Sequence, residues 1–94
     1  MHKVRATSDF IRSYKRLLKK KGDFKQRVER VFRELAINPF NPALKTHRLS
    51  GKFKDEYSCS AGYDLRIIFN IMPNAAGQES DVLLLDIGTH DEVY

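Results

Sequence analysis

"EYSCSAGYDLRIIFNI", residues 56–71, decides the fold. Residues 56–60 read as a strand, Ala61-Gly62 as a tight turn in which Gly62 supplies positive φ, and residues 63–71 as a second strand. Side chains alternate across a strand. In the second strand Leu65, Ile67, Phe69 and Ile71 therefore share one face, while Asp64, Arg66, Ile68 and Asn70 share the other. The first face is apolar throughout and has to be covered. The second carries a cation fixed by backbone geometry.

Working outward, "MPNAAGQESD" (72–81) is a polar loop containing Pro and Gly. "VLLLDI" (82–87) is nearly all apolar, as a central strand should be. It runs through Gly88 into "THDEVY" (89–94), delivering a histidine, two acids and a tyrosine just past a buried strand. Towards the N-terminus, "HKVRAT" (2–7) reads as a short strand and Ser8 as the N-cap of a helix. Phe10, Tyr14, Leu17 and Leu18 recur at helical spacing, with Ile11 widening the stripe, until Gly22 marks a stop. A second helix opens at Asp23, which forms a capping-box-like pair with Gln26. Its apolar stripe is Phe24, Val28, Val31, Phe32 and Leu35. "NPFNPALK" (38–45) ends it, because residues preceding proline are pushed out of helical geometry.

Two helices joined by about three residues form an antiparallel hairpin. The order β-α-α-β-β-β predicts an α+β fold with this hairpin on one face of a mostly antiparallel four-stranded sheet. If the helices cover Leu65, Ile67 and Phe69, Arg66 stands on the open face.

The 94 residues suit one domain, residues 1–94. Apolar runs fall far short of the ~20 residues that span a bilayer. Met1-His2-Lys3-Val4-Arg5 has no apolar signal region, and Cys59 is the one cysteine. The expectation is a reducing cytoplasm. Charge is divided unevenly: residues 1–54 hold 16 Lys/Arg and 4 Asp/Glu, while residues 55–94 hold Arg66 against 8 acids. So basic a front half is either a polyanion surface or a pair of solvated helices. The outer helix faces contribute Arg12, Lys15, Arg16, Lys19 and Lys20, then Lys25, Arg27, Arg30 and Arg33.

Arg66 is suited to hold a phosphate through two parallel hydrogen bonds, or to pair with Asp64 on its own strand face. His47 lies in the basic loop "KTHRLSGKFK" (45–54), which also carries Lys45, Arg48, Lys52 and Lys54, and His90 lies in the terminal segment. A histidine titrates near pH ~6.5 and can exchange a proton at neutral pH. Two of them flanking a phosphate could deprotonate an RNA 2′-hydroxyl and protonate the departing 5′-oxygen. Each could equally be a surface histidine, as His2 is expected to be. Lys52 and Lys54 would meet backbone phosphates or solubilise a sheet edge. Tyr94 would stack on a base or fray at the terminus. The sequence has no Walker loop, no GxGxxG and no Cys/His cluster with ligand spacing, so no cofactor is expected and catalysis would be metal-free.

"HRLSGKFKDEYSCSAGYDLRIIFNI" followed by "LLLDIGTHDEVY" resembles the RelE/ParE superfamily of bacterial type II toxins, closest to the RelE and YafQ-type mRNA interferases. The likeness is carried by H-x-L-x-G (His47, Leu49, Gly51), G-Y-x-x-R-I-I-F (Gly62 to Phe69) and G-T-H-x-x-x-aromatic (Gly88 to Tyr94). It implies a ribosome-dependent endoribonuclease that cuts mRNA in the A site by 2′-hydroxyl attack. It also implies an acidic antitoxin partner. His47 and His90 match the family's acid/base histidines, Asp64 an active-site aspartate, Arg66 the phosphate-binding arginine and Tyr94 the C-terminal aromatic. Lys52 and Lys54 fall at basic positions. The basic helices, Arg12, Lys19 and Arg30 among them, would grip ribosomal RNA. Ser60 stands where YafQ-type toxins have a further histidine, Leu65 where they have an aromatic, and Asp86 where they have an arginine. The same superfamily includes ParE-like gyrase inhibitors that cut nothing, and a catalytically weakened toxin is a further alternative.

Overall fold

Thr7 organises the start of the chain in the computed structural model, which describes residues 1–49, 56–62, 64–74 and 79–93. Strand β1 (Val4–Ala6) ends there, and helix α1 (Ser8–Lys20) begins. Thr7 has extended backbone, and its hydroxyl oxygen accepts from the Phe10 N–H at 3.1 Å. The same hydroxyl donates to the Leu84 carbonyl at 3.0 Å. The cap is thus Thr7 and not Ser8, because only the residue leaving the sheet is held in the extended geometry that an N-cap requires.

The Lys21 N–H closes α1 onto the Leu17 carbonyl, and helix α2 (Phe24–Ile37) follows. Asp23 is helical and makes no side-chain cap bond, so the Asp23–Gln26 pair is not a capping box. Phe10, Tyr14 and Phe32 form a ring cluster across the hairpin, with centroids 5.8–5.9 Å apart. Ile11, about 100° round the helix from Phe10, is 43% exposed and does not widen the stripe. Phe24, Val28, Val31, Phe32 and Leu35 all belong to or pack against the core, as their spacing requires.

After a 3₁₀ turn (Pro42–Leu44) come β2 (His47–Arg48), β3 (Glu56–Ser60), β4 (Leu65–Met72) and β5 (Asp81–Thr89), then a short helix α3 (His90–Val93). Among the described residues the sheet has five strands in the order β1-β5-β4-β3-β2, with β1 parallel to β5 and the other pairs antiparallel. The added strand is β2. His47 and Arg48 pair with Ser58 and Tyr57, and the Leu49 N–H reaches the Glu56 carbonyl at 2.8 Å. His47 is therefore on an edge strand rather than in a loop.

The helix hairpin covers the β4 face of Leu65, Ile67 and Phe69, which are 0–2% exposed and join Phe10, Val28, Val31 and Leu35 in one core. Each such side chain contributes about 1.5–3 kcal/mol on burial. A bulge falls in β5: Ile68 pairs with Asp86 and Phe69 with Leu84, leaving Leu85 as the extra residue. The bulge shifts the alternation of the strand, so Leu84 and Ile87 are both core residues although three apart in sequence. Beyond the bulge Asp86 pairs with Ile68 and Gly88 with Arg66. Among the described residues no helix is long and apolar enough to cross a membrane.

Candidate active site

The open face of the sheet can be read from its register. One transverse row runs His47, Ser58, Ile68, Asp86, with Ser58 and Ile68 buried in its middle, and the next runs Ser60, Arg66, Gly88. Paired residues share a face, so His47 and Arg66 project to the same side. They lie two strands apart and two residues out of step, about 12 Å between α-carbons from sheet spacings. Arg66 is partly buried and anchored. Its Nη1 donates to the Leu65 carbonyl at 3.2 Å and lies 3.5 Å from Ser60 Oγ. Ser60, at the position of the family's further histidine, therefore touches the guanidinium. Leu65 is 2% exposed and belongs to the core, so it contributes nothing to this face. Asp86 turns inward locally, accepting from the Ile87 N–H at 2.8 Å.

His90 begins where β5 ends. Leu65 pairs with Thr89, so Arg66 and His90 each lie one residue from the same pair. Their α-carbons are at most about 13 Å apart by chain geometry. The residue that shapes this corner is Glu92, which the sequence reading passed over. Its Oε1 accepts from the Thr89 N–H at 2.8 Å, turning the chain into α3. The Thr89 backbone N–H, then the Thr89 hydroxyl, hold its carboxyl below the usual range, with Lys20 and Arg16 adding to the effect. The signal was the T-x-x-E of Thr89–Glu92, half of a capping box.

The other candidate positions are more dispersed. Asp64 is exposed, precedes β4, and lines a cleft of about 940 Å³ between the helix hairpin and α3. That cleft has cationic walls at Arg16, Lys20 and Arg27 over Leu17 and Phe24, and its described lining includes neither His47, Arg66 nor His90. This cleft is therefore distinct from the Arg66 face. The side chains that share the sheet face, rather than the cleft, form the candidate site. Arg48 is paired with Tyr57 and so lies on the opposite face of the sheet from His47. Lys45 is exposed in left-handed conformation, and its carbonyl lies 3.3 Å from His47 Nδ1. Arg12, Lys19 and Arg30 are exposed on the helix layer, behind the sheet as seen from Arg66, and Arg12 pairs with Asp9 at 3.1 Å. Lys52, Lys54 and Tyr94 lie outside the described residues.

His2, expected to be unpartnered, is tied down: its Nδ1 lies 2.7 Å from the Ser80 carbonyl and its Nε2 3.5 Å from Glu79. Burial pushes the Cys59 thiol up to about 12, so it stays protonated and is no nucleophile. Among the described residues no three His, Cys, Asp or Glu side chains converge to hold a metal ion.

A helix hairpin backing a mostly antiparallel sheet is the fold of RelE-like toxins. The fold is shared with YafQ from Escherichia coli strain BL21(DE3), 16% identical over 100% of this chain and 99% of that one, TM-score 0.78. It is shared with a metal-bound toxin from Helicobacter pylori, 26% identical over the whole of both chains, TM-score 0.77. A YoeB/ParE toxin from Agrobacterium tumefaciens is 15% identical over 94% of this chain and 98% of its own, TM-score 0.76. No curated protein matches the sequence. The chain belongs to the YafQ family, bacterial toxins of type II toxin–antitoxin systems, whose family model matches residues 2–94.

Proposed function

We propose that this toxin is a ribosome-dependent endoribonuclease that cuts mRNA in the A site. The observation that carries the reading is the sharing of one sheet face by Arg66 and His47, with His90 starting one residue beyond the Leu65–Thr89 pair. Arg66 would hold the scissile phosphate and stabilise charge gathering on its oxygens. One imidazole removes the 2′-hydroxyl proton, and the 2′-oxygen attacks the adjacent phosphorus. The bond from phosphorus to the 5′-oxygen breaks, and the other imidazole protonates that oxygen. The products are a 2′,3′-cyclic phosphate and a 5′-hydroxyl, with no metal required. Asp64 and Tyr94 are proposed to assist, Tyr94 by orienting the mRNA through stacking. Lys45, Lys52 and Lys54 would bind backbone phosphates around the site, Arg48 would bind RNA from the other side of the β2 edge, and Arg12, Lys19 and Arg30 would bind ribosomal RNA from the helix layer.

An acidic antitoxin is the proposed protein partner, matched to the 16 Lys/Arg and 4 Asp/Glu of residues 1–54. The E. coli YafQ fold is also known in a DinJ–YafQ toxin–antitoxin complex. The cytoplasm is the proposed site of action.

Inducing the toxin alone tests the reading. Growth should stop, and primer extension should find cuts inside codons that vanish when translation is blocked. Arg66→Ala and His90→Ala should each lower cleavage by about 10²-fold or more and relieve the arrest. Intact mRNA together with failed DNA supercoiling would overturn the proposal in favour of gyrase inhibition.

A further inference from the structure

We propose that Glu92, with the bare α-carbon of Gly88, acts as a positioning residue for His90; the inference rests on the nuclease reading above. His90 is the first residue of α3, and two fixed points hold it. On one side Thr89 is paired with Leu65 in the sheet. On the other, Glu92 Oε1 takes the Thr89 N–H at 2.8 Å. A turn closed this way leaves the backbone of His90 little freedom, because Thr89 before it and Glu92 two residues after it are bonded to each other across it. The imidazole itself is exposed, with Nδ1 3.6 Å from the neighbouring Asp91 carboxylate.

Gly88 makes this closure possible. A β-carbon there would stand 3.1 Å from both Glu92 Cβ and Glu92 Oε1 and 3.2 Å from Val93 Cγ1. Those contacts are to two side chains of α3, so an added methyl would press Glu92 and Val93 back by a few tenths of an ångström and disturb the bond that Glu92 makes to Thr89. Gly88 is also the register partner of Arg66. The phosphate-holding strand and the turn that presents the imidazole thus meet at one pair of residues. Lys20 and Arg16 on α1 add an attraction for the Glu92 carboxylate from the helix layer. The G-T-H-x-E order of Gly88–Glu92 therefore contains its own brace: a gap for the side chain, a donor, the imidazole and the acceptor.

The full-length protein carrying Glu92→Ala, Glu92→Gln or Gly88→Ala decides it, assayed for single-turnover cleavage on ribosomes programmed with a short mRNA and by NMR of the His90 ring and Thr89 amide. Glu92→Ala should slow cleavage on the order of 10–100-fold, with ribosome binding within about twofold of wild type. It should also shift the His90 ring signals and speed Thr89 amide exchange, while Ile67 and Ile87 amides stay protected. Glu92→Gln keeps an oxygen acceptor without the charge and should recover part of the rate and of the wild-type ring signals. Gly88→Ala should reproduce Glu92→Ala although it leaves the carboxylate in place. Wild-type His90 signals and Thr89 exchange in Glu92→Ala, or a Glu92→Gln as impaired as Glu92→Ala, would overturn the positioning role. A wild-type protein that cuts no mRNA would overturn the nuclease reading, and the NMR arm would still decide the brace.

Discussion

Glu92 illustrates how a single exposed side chain acquires structural weight at a strand end. Its carboxyl is held below the ordinary value of 4.5, first by the Thr89 N–H, then by the Thr89 hydroxyl, with smaller help from Lys20 and Arg16. A depressed folded pKa means that the ionised form favours the closed turn. Its contribution is therefore complete above the unfolded value and is lost as pH falls through the folded one. Following the Glu92 carboxyl and the Thr89 amide together by NMR should give one shared midpoint, below 4.5. A midpoint at or above that value would mean the bond is not formed in solution. His90 and Asp91 on the same turn are the neighbouring titrating groups, and their signals separate by chemical shift. At this scale the sequence is uneven in what it declares. Arg66 is legible because it is the only Lys or Arg among residues 55–94 and strand alternation fixes its side. Glu92 is not, because its T-x-x-E precedes no apolar run, the setting in which a capping box is usually recognised. Leu65 is a plain case of face: its place in the apolar alternation already assigns it to the core, whatever residue the family has there.

The helix hairpin poses a different question, since its ring cluster carries a flaw. Tyr14 packs edge-on against Phe32 and tilted against Phe10, yet its hydroxyl is buried with no hydrogen-bond partner among the described residues. Burial, then the Glu29 charge, pushes the phenol further from ionisation, which leaves it an unmatched dipole. An unsatisfied buried hydroxyl costs about 1–3 kcal/mol, whereas the ring contributes through packing. Tyr14→Phe should therefore be neutral or stabilising by up to about 1 kcal/mol in urea unfolding, and Tyr14→Ala destabilising by about 3–5 kcal/mol. A Tyr14→Phe protein less stable by more than about 1 kcal/mol would show that the hydroxyl is satisfied in solution. Elements with a repeating period were readable: both helix stripes, the β3–β4 hairpin with Gly62 at φ +95°, and β5 as an inner strand. Strand β2 was not, because two residues are too few to display an alternation. The β5 bulge was not either. It depends on which strand β5 meets, and only the pairing of Ile68 with Asp86 and Phe69 with Leu84 exposes the surplus Leu85.

At the scale of the whole molecule, the sheet separates two surfaces that the sequence presents as a single basic half. Arg66 and His47 face one way, while Arg12, Lys19 and Arg30 stand on the helix layer covering the other side. One RNA strand lying across the open face cannot also reach the outer helix faces. A ribosome-bound toxin would instead be gripped from behind by ribosomal RNA while mRNA occupies the sheet. The two grips differ in how salt affects them. Every phosphate neutralised by a lysine or arginine releases counterions, adding about 0.7–0.9 to the slope of log affinity against log salt. Replacing Lys19 and Arg30 with alanine together should lower the slope for ribosome binding by about 1.4–1.8 between 50 and 200 mM salt. Arg12→Ala should change it less, because its guanidinium is already shared with Asp9 at 3.1 Å. Arg66→Ala, by contrast, should reduce cleavage far more than it reduces binding, since its proposed role is to hold one phosphate in the reacting geometry. Equilibrium binding of labelled toxin to 70S ribosomes across that salt range measures the slopes, and single-turnover cleavage on the same ribosomes measures the Arg66 contrast. If the Lys19 and Arg30 double variant keeps the wild-type slope, the helix layer does not touch RNA. Its charge would then serve the acidic antitoxin alone, and the ribosome would have to be recognised through the sheet face and its edges.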